Sequence, residues 1–94
     1  GSSFRIIETI EDENASDPVS SVMFEEQKRI LTEAIQKLPE REKLVIALYY
    51  YEGLTLKEIG KVLGVSESRI SQLHTKAILR LRGRLSRLKK KILD

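Results

Sequence analysis

TLKEIGKVLGVSESRISQLHTKA, residues 55–77, is the stretch that decides the fold. It opens with Thr55-Leu56-Lys57-Glu58, a capping box in which the Thr hydroxyl and the Glu carboxylate each satisfy a free backbone donor at a helix start. Ile59, Val62 and Leu63 give that short helix an apolar face, and Gly64 follows as the residue best able to take the left-handed conformation that closes a helix. Val65 then turns inward. Ser66 is a second N-cap, and from Glu67 the apolar residues Ile70, Leu73, Ala77 and Leu81 recur at helical spacing. Two capped helices joined by a glycine elbow make a helix-turn-helix, with a support helix first and a recognition helix second.

Working upstream, Glu52-Gly53 supplies a turn, and Leu44, Val45, Leu48 and Tyr49 form the inward face of a preceding helix. Pro39 fits its first position, and Glu40 and Glu42 lie where the positive end of a helix dipole favours acids. Before that, Met23, Ile30, Leu31, Ala34, Ile35 and Leu38 lay one apolar stripe along a helix that starts at Asp17-Pro18 and runs to about Lys37. Phe4 to Ser16 is acidic, with one apolar patch at Ile6, Ile7 and Ile10 and no sustained period, and reads as loosely ordered linker. Gly1-Ser2-Ser3 has the look of a cleaved expression tag, with natural sequence continuing upstream. Downstream, Leu85, Leu88 and Ile92 continue the recognition helix, which either stops or bends at Gly83 before resuming. The expected architecture is all-α: a tag remnant and acidic linker over residues 1–16, then one small four-helix domain over 17–94, winged-helix-like without a wing.

Composition narrows the function classes. Cysteine is absent, which removes disulfides, thiolate metal sites and cysteine nucleophiles together, and one histidine cannot assemble a metal centre. No phosphate loop or nucleophile–base pair is present, so the expectation is a binding module with no catalytic residues, no cofactor and no metal. The longest apolar run, Leu44 to Tyr51, is far short of the roughly 20 residues that span a bilayer. With no signal-peptide pattern at its start, the chain reads as a cytoplasmic protein without a membrane partner. The net charge of +3 conceals a gradient along the chain. Residues 1–31 carry three bases against seven acids, a net of −4, whereas residues 66–94 carry nine bases against two acids, a net of +7. The C-terminal third is therefore the polyanion-facing candidate, and the acidic N-terminal segment is placed to mask it.

Between its apolar positions the recognition helix carries Glu67, Ser68, Arg69, Ser71, Gln72, His74, Thr75 and Lys76, a run of hydrogen-bonding groups that suits a major groove about 12 Å wide. Glutamine can pair with adenine N6 and N7 in a bidentate way, and Arg69 can take guanine or a phosphate. Ser68 and Ser71 can serve either purpose. The tail Arg80, Arg82, Arg84, Arg87, Lys89, Lys90 and Lys91 reads as phosphate contact or steering, with an exposed solvated helix as the plain alternative. Tyr49 to Tyr51 continue an apolar helix face and read first as packing, and His74 reads as a DNA-facing or surface polar group.

From Leu38 to Leu85 the sequence resembles region 4 of sigma-70-type RNA polymerase sigma factors, and within them the flagellar, motility class. The resemblance is carried by Leu38-Pro39-Glu40-Arg41-Glu42, by Tyr50-Tyr51-Glu52-Gly53-Leu54-Thr55 and by Ser68-Arg69-Ile70-Ser71-Gln72-Leu73-His74. It implies recognition of the −35 promoter element by Ser66 to Thr75, and a grip on the RNA polymerase β-subunit flap by Val45 to Tyr51. Residues 4–37 are similar to the linker between regions 3 and 4 and the first helix of region 4. Housekeeping members tend to place Arg and Glu where this chain has Glu67 and Ser68, so a different promoter sequence is expected. The residues expected to meet DNA are Thr55, Ser66, Glu67, Ser68, Arg69, Ser71, Gln72, His74, Thr75, Lys76 and Arg80. The expected partners are double-stranded promoter DNA, core polymerase and an anti-sigma factor. A second reading makes the chain chiefly a docking module for the flap or an anti-sigma factor, gripped through apolar surface on its first two helices and tail.

Overall fold

A computed structural model of the chain describes residues 1–11 and 21–93, with side chains placed through residue 10 and from 25 to 87. Five α-helices are seen: α1 (Ser2–Glu11), α2 (Ser21–Gln36), α3 (Glu40–Ile46), α4 (Leu56–Leu63) and α5 (Glu67–Leu93). At 1.5 Å per residue α5 is about 40 Å long, close to the full 44 Å long axis of the molecule. The other four helices pack along this rod. Gly83 lies inside α5 without breaking it.

The apolar stripes expected on α2 and α5 are buried as their spacing requires. Leu31, Ala34 and Leu38 share a core with Ala77, Ile78 and Leu81, and Ile30 is buried as well. The Asp17-Pro18 helix start and Met23 lie outside the described residues or side chains.

Two features depart from the sequence expectation. The first is α1, where a linker was expected: Ser2–Glu11 is a helix that sets Ile6, Ile7 and Ile10 into the same core as Leu31, Ile46, Tyr50 and Leu81. Three isoleucines at positions i, i+1 and i+4 are too short a run to signal a helical period. They do suffice to cover one turn of helix when α2 and α5 supply the other wall. Among the described residues there are therefore five α-helices where four were expected.

The second departure is at the end of α3, which begins at Glu40 with Pro39 as the extended residue before it, one position later than expected. It runs into a π-helical turn over Ala47–Tyr51, closed by Glu52 N–H donating to the Ala47 carbonyl at 3.1 Å. The wider turn inserts an extra residue and rotates the buried face. Val45, Ile46 and Tyr50 point inward, Leu48 and Tyr49 are half-buried, and Leu44 is exposed. Within regular α3 the buried face runs through Glu42, Val45 and Ile46, which already leaves Leu44 outside before the π turn begins. On α4, Ile59 is buried and Leu56 and Leu63 pack beside it, which leaves Val62 off the inward arc and 63% exposed.

Candidate nucleic-acid interface

The helix-turn-helix is built from short-range bonds. Thr55 N–H donates to Glu58 Oε1 at 2.9 Å and Glu58 N–H donates to Thr55 Oγ1 at 3.1 Å. The Thr55 backbone donor holds the exposed Glu58 carboxylate below its usual range. Gly64, with φ +72°, closes α4 in the left-handed conformation, and Ser66 Oγ accepts the Arg69 N–H at 3.1 Å to open α5. Because Thr55 and Ser66 use an oxygen lone pair in capping, each hydroxyl proton stays available to donate outward.

Sequence reading missed the part played by Gly60. A Cβ on this residue would stand 2.7 Å from the Val65 carbonyl oxygen, and Val65 N–H donates back to the Gly60 carbonyl at 2.9 Å. Only a residue without a side chain allows the turn to fold this tightly onto α4, and the available signal was a glycine in the middle of an otherwise good helix.

Beyond the elbow, Ile70, Leu73 and Ala77 are buried and fix the rotation of α5. That rotation exposes Ser66, Glu67, Ser68, Arg69, Ser71, Gln72, Thr75 and Lys76 together on its outer face. Arg69 Nη1 donates to Gln72 Oε1 at 3.3 Å, so two base-reading candidates are held one helical turn apart in mutual contact. Glu67 faces Thr55 and Gly53 across a shallow cleft.

Two of the expected contact residues are placed differently. His74 turns under the helix: its Nε2 lies 2.7 Å from the Tyr50 hydroxyl, and its ring packs 5.3 Å from that of Tyr49 and 5.6 Å from that of Tyr50. Burial holds the imidazole below the usual histidine range, favouring the neutral ring. Burial likewise pushes the Tyr50 phenol upward. The helical wheel explains His74, which follows Leu73 directly and sits four residues after Ile70, on the edge of the buried stripe.

Arg80 is the other. Its Nε donates to Glu42 Oε1 at 3.0 Å and to Oε2 at 3.3 Å, while the Glu42 side chain is only 5% exposed. The acid expected to complement the α3 dipole instead needs a cation from α5, because a buried carboxylate without a partner is costly. Further along the tail, Arg82 Nε donates to the Ile10 carbonyl at 3.1 Å, capping the end of α1. Arg87 Nε donates to the Gly83 carbonyl at 3.4 Å. Several tail arginines thus have a structural contact that a reading as phosphate contact or solvated helix did not include. The α1–α5 contact is made by isoleucines and a backbone carbonyl, and Glu8 forms no ion pair among the described residues.

A short support helix, a glycine elbow and a long helix with a polar outer face define a helix-turn-helix domain of the kind that reads duplex DNA. The family model for sigma-70, region 4 matches residues 34–83, more than half of the chain, and the chain belongs to that family. It is 58% identical over 71 residues to RNA polymerase sigma factor FliA of Pseudomonas aeruginosa, covering 76% of this chain and 29% of that protein. Against FliA of Escherichia coli K12 the identity is 51% over 78 residues, covering 83% and 33%. Against the RNA polymerase sigma-D factor of Bacillus subtilis it is 44% over 79 residues, covering 84% and 31%. The chain thus spans about a third of the length of these curated relatives. Among solved structures, the flagellar sigma/anti-sigma complex Sigma-28/FlgM matches with a TM-score of 0.67 at 42% identity, over 92% of this chain and 36% of that one.

Proposed function

We propose that this chain is the promoter-reading domain of a flagellar-class sigma factor, recognising the −35 element by inserting the first turns of α5 into the major groove. One observation carries the reading. The polar residues from Glu67 to Lys76, His74 apart, share one exposed face immediately beyond a tight elbow, while Ile70, Leu73 and Ala77 anchor the opposite face. Gln72 and Arg69 read bases, Ser68 and Ser71 supply shorter hydrogen bonds, and Thr55, Ser66, Thr75 and Lys76 hold the phosphates. Arg80 keeps its guanidinium Nη atoms for the backbone while its Nε serves Glu42. In this role the chain is a cytoplasmic binding module and not an enzyme.

The test compares Gln72→Ala with the unaltered chain on a motility-class promoter duplex and on a random duplex of equal length. The promoter complex should weaken by about 1–3 kcal/mol, with little change on random DNA. Equal losses on both would overturn the base-reading role.

We further infer docking to the core polymerase flap and to an anti-sigma factor. Leu44, Tyr51 and Leu79 are 38%, 49% and 55% exposed, which leaves apolar side chains outside the DNA-facing surface. Of the segment Val45 to Tyr51, first associated with the flap, Val45, Ile46 and Tyr50 are interior. The grip therefore falls to Leu44 and Tyr51. Titrating a flap segment against the chain should shift the signals of these residues, and a flat titration would remove the idea.

A further inference from the structure

The cleft between the two capped helix starts has a third wall, contributed by α1. Arg5 lines it together with Tyr49, Gly53, Thr55 and Glu67, around a volume of about 330 Å³. The Arg5 side chain is exposed, and its guanidinium carbon lies 5.5 Å from the centre of the Tyr50 ring, which supports the cation from one side. Arg5 forms no ion pair with any described residue, although Glu67 borders the same cleft. An unpaired guanidinium resting on an aromatic face is pre-ordered for an anion, and less freedom is lost when one binds.

The position of the cleft identifies the anion. Thr55 and Glu67 stand at the starts of α4 and α5, the ends of the helix-turn-helix that approach the duplex. A strand passing the outer face of α5 runs past this cleft, and its phosphates meet Arg5 from α1 and the Thr55 hydroxyl from α4. The Glu67 carboxylate repels a phosphate at the opposite rim and so confines it to the Arg5 side.

We infer that Arg5 is a DNA backbone contact, supplied by a helix outside the family segment of residues 34–83. The inference rests on the promoter-reading function proposed above. The α1 helix then has two roles: its isoleucines close the core, and its arginine widens the phosphate-binding surface beside the recognition helix. A phosphate contact carries no sequence information, so Arg5 adds affinity equally on every duplex.

The experiment is a salt series of DNA binding by the full 94-residue chain, on promoter and random duplexes, for the unaltered protein, Arg5→Ala, Arg5→Lys and Lys76→Ala. Loss of one phosphate contact should make the log–log salt slope shallower by about 0.9. Arg5→Ala should show this change on both duplexes by the same factor, with Arg5→Lys restoring most of the slope. Thermal melting of each variant confirms that α1 remains folded, and Arg5→Lys holds the charge question open to test if Arg5→Ala melts early. An unchanged slope in Arg5→Ala, while Lys76→Ala lowers its own, would overturn this inference and leave the promoter-reading function standing. Unchanged slopes in both Arg5→Ala and Lys76→Ala would remove the phosphate contacts of Arg5 and Lys76 alike, while base reading is judged separately by Gln72→Ala.

Discussion

At one end of the molecule, α4, the elbow and the first turns of α5 close over Val45, Ile59, Ile70 and Leu73; beyond it, α1 and α2 close over the middle of α5 with Ile6, Leu31, Ala77 and Leu81. The two cores have the same chemistry and differ in how they are specified. The helix-turn-helix core is enclosed by local devices: a capping box, a left-handed glycine, a serine cap and a glycine that admits a backbone oxygen. The second core is enclosed by partners remote in sequence, including Ser2 Oγ, which donates to the Tyr50 carbonyl at 2.8 Å, and Arg82 on the Ile10 carbonyl. Tyr49 packs against both. Local devices fix a shape even in a short segment, whereas remote ones fix it only once the rest of the chain is in place.

The largest expected effect breaks the remote core. Ile6→Ala removes a side chain with no exposed surface and should cost about 2–5 kcal/mol in a denaturant titration. An unchanged midpoint would show that α1 is not part of the cooperative unit. An N-terminal deletion that removes α1 uncovers this core, so a loss of stability is expected before any gain in DNA affinity.

The next effect strikes the local core. Alanine at position 60 gains about 1 kcal/mol of helix preference over glycine, yet its Cβ meets a backbone oxygen that no rotamer change can move. Overpacking of this kind typically costs about 1–3 kcal/mol. Gly60→Ala should therefore be destabilising on balance, and it should weaken DNA binding by opening the elbow. A stabilised variant with unaltered DNA affinity would show that the turn does not need the close approach.

The smallest effect lies at the junction. The folded state holds His74 below its unfolded pKa of about 6.5, so the unfolded chain binds more protons in the interval between the two values. Stability from this site is complete above the unfolded value and is lost as pH falls through the folded one. The melting temperature should decline modestly as the pH falls through and below the unfolded value of about 6.5, and His74→Gln should flatten that decline. The groups around the ring are Tyr49 and Tyr50, with the Arg5 cation beyond Tyr50, and none of them is a carboxylate that would stabilise the imidazolium. A slope unaffected by His74→Gln would assign the pH response elsewhere.

The same division explains what could be read from the sequence. Residues 55–77 were legible almost position by position, because caps, a left-handed glycine and a 3.6-residue period are short-range signals. The apolar patch Ile6, Ile7 and Ile10 was not, since three residues of a helix face carry no period and its partners lie on α2 and on α5. The π turn was equally hidden. The buried face of α3 runs through Glu42, Val45 and Ile46 and leaves Leu44 outside before the turn begins, and nothing in Leu44-Val45-Ile46-Ala47-Leu48 distinguishes that frame from the expected one. Among the site residues, those well away from the apolar stripe were located on the outer face, whereas His74, on its edge, was claimed by an aromatic pair. Arg80 and Glu42 were each legible as a charge. Their pairing, 38 positions apart, was not.

The bond from Arg82 to the Ile10 carbonyl has a consequence for synthesis. Synthesis from the N-terminal side delivers Ile10 at the end of α1 and the residue that seals it 72 positions later. At roughly 5–20 residues per second that is an interval of roughly 4–15 s, during which the three isoleucines lack the α5 wall of their core. The α1 helix thus leaves the ribosome well before its seat on α5 exists, and a nascent chain must keep that apolar face covered by other means in the interval.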